Sequence, residues 1–182
     1  VLNIQVIPFR FYPNTRELEI IEVLDIIVSE TRERQHDNSN TRLPSKAFEP
    51  LYSNFVVNYE TQTRDEEYQK PAILYICGGN SQNNSSFQQL VNWRHKRGYV
   101  VYIASLSETG SSTGAIKNYI QDAYETFDPP PEFIGIFGDV GGTYNVPTFD
   151  ECWGHDWGGC EGDFPYTQLD GDDFLPEVFV GR

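Results

Sequence analysis

The sequence predicts an α/β fold: a mainly parallel four-stranded sheet with flanking helices, preceded by a β-hairpin segment. Three observations predict it. Four short apolar runs of strand length stand at 72–77, 99–104, 133–137 and 177–180. Between the first three lie two stretches whose apolar residues recur at helical spacing. Breakers separate the pieces: Pro71, Gly98 and the Pro129-Pro130-Pro131 run. Strands alternating with amphipathic helices build β-α-β units and a sheet covered on both faces.

In chain order, residues 1–28 read as a hairpin. Ile4 and Val6 alternate with polar residues, residues 20–28 are rich in branched side chains, and Tyr12-Pro13-Asn14-Thr15 between them has turn chemistry. Residues 29–46 are almost free of apolar side chains and read as an exposed loop; 48–59 turn aromatic again, and 60–70 form a second polar linker. Ala72–Cys77 is the first strand of the sheet, and Gly78-Gly79-Asn80 opens the loop after it. A helix is predicted over 87–96, with Ser85 or Ser86 as N-cap, Phe87, Leu90 and Val91 on one face, and Gly98 as its stop. A second is predicted over 113–127, because Ile116, Tyr119, Ile120, Ala123 and Phe127 fall on one face. Ser111, Ser112 and Thr113 offer caps, and the prolines after Asp128 end it. Residues 138–170 read as a long loop before the last strand, 177–180. In such sheets the loops after the strand C-termini carry function: here 78–86, 105–112 and 138–170.

The chain has 182 residues, enough for one real core. Its 27 acidic and 13 basic residues give a net charge of −14, which repels phosphate backbones and makes nucleic acids and anionic membranes poor partners. No apolar run approaches the roughly 20 residues of a membrane span. The sequence starts at Val1, contains no Met, and ends at Arg182 directly after a strand, which reads as a piece of a longer, processed chain.

The strongest chemical signal is Asp170-Gly171-Asp172-Asp173-Phe174-Leu175-Pro176-Glu177. Calcium takes six to eight oxygen ligands and mixes carboxylates with backbone carbonyls, so Asp173, the Leu175 carbonyl and Glu177 could wrap one ion. The EF-hand pattern is absent, and the competing reading is a solvated acidic turn. Nine carboxylates crowd residues 150–182 with Arg182 as the one Lys or Arg among them, which favours a bound cation. Cys152 and Cys160 are close enough in sequence for a disulfide; with His155 they could instead hold zinc, though four ligands are needed, or stay free thiols. Cys77 at a strand end is a conceivable nucleophile, but a buried cysteine there is ordinarily a small hydrophobe. The Gly78-Gly79-Asn80 loop could seat a phosphate or flavin, yet it lacks the Rossmann glycine pattern and the P-loop lysine.

An ordered set of motifs resembles the gingipain-like cysteine peptidases, peptidase family C25, over roughly 48–182. It comprises Phe48-Glu49-Pro50-Leu51-Tyr52, Asn58-Tyr59, the strand Ala72–Cys77, Trp93-Arg94-x-x-Arg97-Gly98-Tyr99, and Glu108-Thr109-Gly110. Then come Ile116-Lys117-Asn118-Tyr119-Ile120, Pro130-Pro131-Glu132-Phe133, Phe137-Gly138-Asp139-Val140 and Val146-Pro147. The set closes with Gly171-Asp172-Asp173 and Glu177-Val178-Phe179-Val180-Gly181-Arg182.

The resemblance implies a caspase-like fold. Residues 1–65 would be the β-rich end of a pro-region with polar linkers, and 66–182 the first subdomain of a catalytic domain. It implies Ca2+ in the acidic loop, carried by position to Asp173, Leu175 and Glu177, with Asp170 and Gly171 beside them. It also implies export to the cell surface or medium, which fits a Cys152–Cys160 disulfide. The family's catalytic His, in a His-Gly pair, and its Cys lie in a second subdomain. No His-Gly pair occurs here, so no catalytic residue is expected in this chain. Its expected partners are that C-terminal subdomain and, through it, a protein or peptide substrate. A different class remains open: a calcium-binding structural or secretion-associated module without peptidase activity.

Overall fold

A computed structural model describes residues 7–26, 42–56, 59, 67–150, 162–170 and 175–182. The chain divides into two units, Val1–Thr41 and Arg42–Arg182. In the first, β1 (Phe9–Tyr12) and β2 (Glu17–Ile20) pair antiparallel. Arg16 closes the turn at φ 58° and donates its N–H to the Tyr12 carbonyl at 2.8 Å. The register sets Phe9 opposite Ile20 and Phe11 opposite Leu18 on one face, and Arg10 opposite Glu19 on the other. The second strand was expected over 20–28; instead it occupies the residues nearest the turn and ends at Ile20. A tight turn pairs its immediate flanks first, whatever the branched residues farther on. Residues 1–6 and 27–28 of the expected hairpin lie outside the described residues.

The first helix of the second unit is α1 (Glu49–Phe55), with Pro50 in its first turn and Phe48, only 2% exposed, just before it. Then comes β3 (Ala72–Cys77), all six residues buried, as a central parallel strand requires. Helix α2 (Ser85–Lys96) is capped by Asn84, whose side chain accepts from the Ser86 N–H at 2.8 Å. The cap thus stands one or two residues before the serines expected to supply it. Gly98, at φ 87°, ends the helix as predicted. After β4 (Val100–Ser105), the short α3 (Leu106–Thr109) is held by a reciprocal Ser105–Glu108 capping box. Helix α4 (Thr113–Thr126), with Ser112 as its cap, leads to β5 (Phe133–Phe137), and β6 (Phe179–Gly181) completes the sheet. The loop before β6 contains a 3-10 turn at Phe164–Thr167.

Within this four-stranded sheet the pairs are parallel and the order is β4-β3-β5-β6. Alternation along β3 sorts the core. Leu74 and Ile76 face α4 and pack with Ile116, Ile120, Ala123, Ile134 and Ile136. Ile73, Tyr75 and Cys77 face α2 and pack with Phe87 and Val91. Burying one such branched side chain contributes about 1.5–3 kcal/mol, so the two helix stripes hold the layers together. No described helix is long and apolar enough to cross a membrane.

Candidate functional site at the carboxyl ends of the strands

From β3 the chain passes to β4 on one side and later to β5 on the other. The carboxyl ends of β3 and β5 therefore form the switch point at which open α/β sheets bind ligands. Gly78 and Gly138 follow these two strands. Loop 139–146 folds back over them: the Asp139 N–H donates to the Tyr144 carbonyl at 3.1 Å, and the Val146 N–H to the Asp139 carbonyl at 2.8 Å. A Cβ on Gly78 would stand 2.2 Å from the Tyr144 oxygen, and one on Gly138 would stand 2.3 Å from it. Gly79 adopts φ 58° beneath the Thr143 carbonyl.

The glycines thus make room for the chain itself. Carbonyl oxygens fill the place where a phosphate would lie, so the phosphate-loop reading of Gly78-Gly79-Asn80 finds no support here. Asp139 accepts from the Val140 N–H at 2.8 Å, which is turn chemistry. Beside these loops a cleft of about 450 Å³ is lined by Ser81, Asn84, Phe137, Asp139, Tyr144 and Arg182.

Cys77 ends β3 fully buried, and burial pushes its thiol up to about 11, against a smaller downward effect of the Ser81 hydrogen bond. Burial and a firmly held proton favour the small-hydrophobe reading of Cys77 over the nucleophile. His95 sits exposed in the last turn of α2. The pair is a small core residue and a surface residue.

Of the predicted metal ligands, Asp170, Leu175 and Glu177 are described; Gly171 and Asp173 lie outside the described residues, as do Cys152, His155 and Cys160. Glu177 closes the loop between the Phe164–Thr167 turn and β6. Its Oε2 accepts from the Leu169 N–H at 2.6 Å and the Asp170 N–H at 3.2 Å, and its own N–H donates to the Thr167 carbonyl at 2.9 Å. The Glu177 carboxylate is therefore held by backbone N–H groups of Leu169 and Asp170. Among the described residues no three metal-binding side chains cluster. The residue types predicted as ligands would offer only oxygen donors, the kind calcium prefers and zinc does not.

Two polar residues have structural roles that the sequence reading did not assign. Glu132, 4% exposed, directly precedes β5; its carboxylate accepts from the Ser45 hydroxyl, and burial raises its pKa above the usual carboxylate range. Arg182 forks onto Asp163 and also donates to the Gly138 and Val146 carbonyls. Their only sequence signals were a carboxylate set directly before an apolar strand and an arginine directly after one.

Comparison with known proteins places this geometry. A model of peptidase family C25 matches residues 66–182. Gingipain R1 of Porphyromonas gingivalis is 25% identical over 179 residues, covering 96% of this chain. Gingipain R2 of the same organism is 24% identical over 181 residues, again covering 96%. This chain spans 17% of the first relative and 23% of the second. Among solved structures, the Arg-specific cysteine proteinase gingipain R superposes with a TM-score of 0.50 at 22% identity, over 66% of this chain and 26% of that one. A structure described as a protease matches at 0.50 and 19% identity, over 71% of this chain and 26% of that one. These likenesses agree with the α/β fold read from the sequence.

Proposed function

The chain belongs to peptidase family C25, and on that premise we propose that it is the noncatalytic front part of an exported gingipain-like cysteine endopeptidase. In this reading the hydrolytic step is thiolate attack on a peptide carbonyl assisted by a His, with both groups supplied by polypeptide outside this chain. The observation that carries it is the match over 66–182 joined to a described Cys77 that is buried and protonated. The chain's own role is scaffold and one wall of the substrate cleft, the wall being the switch-point loops. Residues 1–65 belong to the pro-region and 66–182 to the first subdomain.

Calcium belongs to the same proposal. Asp170, Gly171, Asp173, Leu175 and Glu177 would hold it, and its charge would offset the repulsion among the nine carboxylates of 150–182. What supports it is that the predicted ligands offer only oxygen donors and that the Glu177 carboxylate stands at the backbone of Asp170.

Two measurements test this reading. The purified chain is expected to leave peptide substrates uncut and its Cys77 unalkylated in the native state; turnover that disappears on alkylating Cys77 would sink it. A thermal melt is expected to rise with calcium, fall with chelator, and lose that response in Asp173→Ala. A specific ion at a hundredfold excess over Kd stabilises by about 2.7 kcal/mol. Identical melts with calcium and with chelator would reduce the loop to an acidic turn.

A further inference from the structure

The chain holds 27 acidic residues against 13 Lys and Arg, yet four basic residues stand in a row at the end of α2: Arg94, His95, Lys96 and Arg97. His95, Lys96 and Arg97 are exposed, and Trp93 next to them is 50% exposed. Among the described residues no carboxylate pairs with Arg94, Lys96 or Arg97. A Cβ on Gly98, which follows them, would meet nothing within 4 Å. Tyr99 leads from here into β4, so the cluster stands at the amino ends of the parallel strands, away from the switch-point loops.

The helix end does not need these side chains for its own hydrogen bonds. The Arg97 N–H donates to the Trp93 carbonyl at 3.1 Å and the Arg94 carbonyl at 3.0 Å. The Gly98 N–H donates to the His95 carbonyl at 3.0 Å, and the Tyr99 N–H to the Arg94 carbonyl at 3.1 Å. The carbonyls of 93–95 are thus satisfied by backbone, and the basic side chains are left for solvent or a partner. Their aromatic neighbours give them a fixed shape. The Arg94 guanidinium lies over the rings of Trp93 and Tyr99 at 5.1 Å each, and that of Arg97 over Trp93 at 5.6 Å. The Arg94 Nε is buried and unpaired, so the rings hold this guanidinium, not a hydrogen bond through that nitrogen.

A guanidinium stacked on a ring keeps its in-plane N–H donors for a partner, and their fork matches a carboxylate. Stacking also fixes long side chains before a partner arrives, which lowers the cost of ordering them on binding. The size of the cluster then selects the partner. From Trp93 to Arg97 the helix advances only about 6 Å. Nucleic acids, sulfated glycans and anionic membranes carry their charge far past that length, into the field of a chain with net charge −14. A short run of Asp and Glu ends where the basic surface ends, and an apolar residue beside it has the half-exposed Trp93 to lie against.

We infer that the Trp93–Arg97 end of α2 is a docking surface for a short acidic segment, rich in Asp and Glu, of a protein partner. Carboxylates of that segment pair with Arg94, Lys96 and Arg97. The surface is separate from the switch-point loops, so the inference does not depend on the peptidase reading.

The test titrates the purified chain into fluorescein-labelled hexaglutamate at low salt and reads fluorescence anisotropy. Saturable binding is expected, weakened about tenfold in the double variant Lys96→Glu/Arg97→Glu. Both positions are exposed, so that variant is expected to keep the wild-type melting temperature. Arg97→Lys keeps the charge and loses the fork, and Trp93→Ala keeps every charge and loses the stacking ring; each is expected to weaken binding several-fold. Absence of saturable binding, or equal affinity in the charge-reversed variant, overturns the inference. So does tighter binding of heparin or phosphatidylserine vesicles than of hexaglutamate. Wild-type affinity in both Arg97→Lys and Trp93→Ala overturns it as well, because charge alone would then suffice. Dimerisation of the chain in sedimentation, lost on charge reversal, makes the partner a second copy and also overturns it.

Discussion

Arg182 grips Asp163 with a two-point fork, Nη2 to Oδ1 at 2.7 Å and Nε to Oδ2 at 2.9 Å. The same guanidinium donates through Nη1 to the Val146 carbonyl at 3.0 Å and to the Gly138 carbonyl at 3.3 Å. One side chain thus joins the end of β6, the turn after β5 and the segment that leads into Phe164–Thr167. The Asp163 hydrogen bond is the largest of the influences that raise the Arg182 pKa.

Removing this fork has a cost set by geometry. The two side chains are about one-fifth exposed, at 21% and 17%, so water replaces the lost bonds only in part. Arg182→Ala is expected to destabilise the chain by about 2–3 kcal/mol, in the range for hydrogen bonds to charged groups. Arg182→Lys recovers little, because an ammonium cannot make the fork. A denaturant double-mutant cycle with Asp163→Asn checks it; additive losses would show that the two residues act independently.

The glycines at the switch point give a steric prediction with its own control. Gly78→Ala and Gly138→Ala each drive a methyl into the Tyr144 carbonyl, at 2.2 and 2.3 Å. Each is expected to cost about 1–3 kcal/mol, as overpacking does, and to shift loop 139–146. Gly141→Ala meets nothing within 4 Å, and is expected to be neutral or slightly stabilising through the unfolded chain. Chemical denaturation of the three variants reads the difference; equal midpoints would mean the loop moves freely.

Much of this fold was legible because its signals are local. Ala72–Cys77 needed no partner to announce a buried strand, and the spacing of Ile116, Ile120 and Ala123 announced the buried stripe of α4. The cap of α2 was blurred because Asn84, Ser85 and Ser86 can all cap; Asn84 has the extended backbone, ψ 134°, that decides it. Strand β6 begins at Phe179 because Glu177, counted as its first residue, spends its N–H and carboxylate on Thr167 and Leu169. The site was less legible because its pairings are remote. Nothing near Glu132 shows that Ser45, 87 residues earlier, donates to it, and nothing near Tyr75 shows that Gly135 lies beneath its ring.

Glu132 makes stability depend on pH. Burial raises its pKa, while Ser45, Gln69 and the Ala72 backbone pull it partly back. A carboxyl whose folded pKa exceeds its unfolded value binds its proton more tightly in the folded state. Its stabilising contribution is full below the unfolded value of about 4.3 and is lost as pH rises through the raised folded value. Glu132→Gln keeps an acceptor for Ser45 without the buried charge. It is expected to melt higher than wild type near neutrality and to flatten the decline that starts above about pH 4.3. Parallel curves for the two proteins across that window would remove Glu132 as the cause.

Glu177 separates a structural role from a ligand role. Its Oε2 accepts from two backbone N–H groups, so Glu177→Ala is expected to cost about 1–3 kcal/mol even in chelator. Glu177→Gln retains an uncharged acceptor for the Leu169 N–H and should lie nearer wild type in chelator. It gives up the negative charge that a hard cation selects. If Glu177 is a calcium ligand, the glutamine variant shows a weakened calcium-dependent rise on a near-normal baseline. If it only ties the loop to β6, the rise persists in full. Calcium titrations of the three proteins by differential scanning fluorimetry, read as the slope of Tm against log concentration, decide between the two roles without requiring the peptidase to be active.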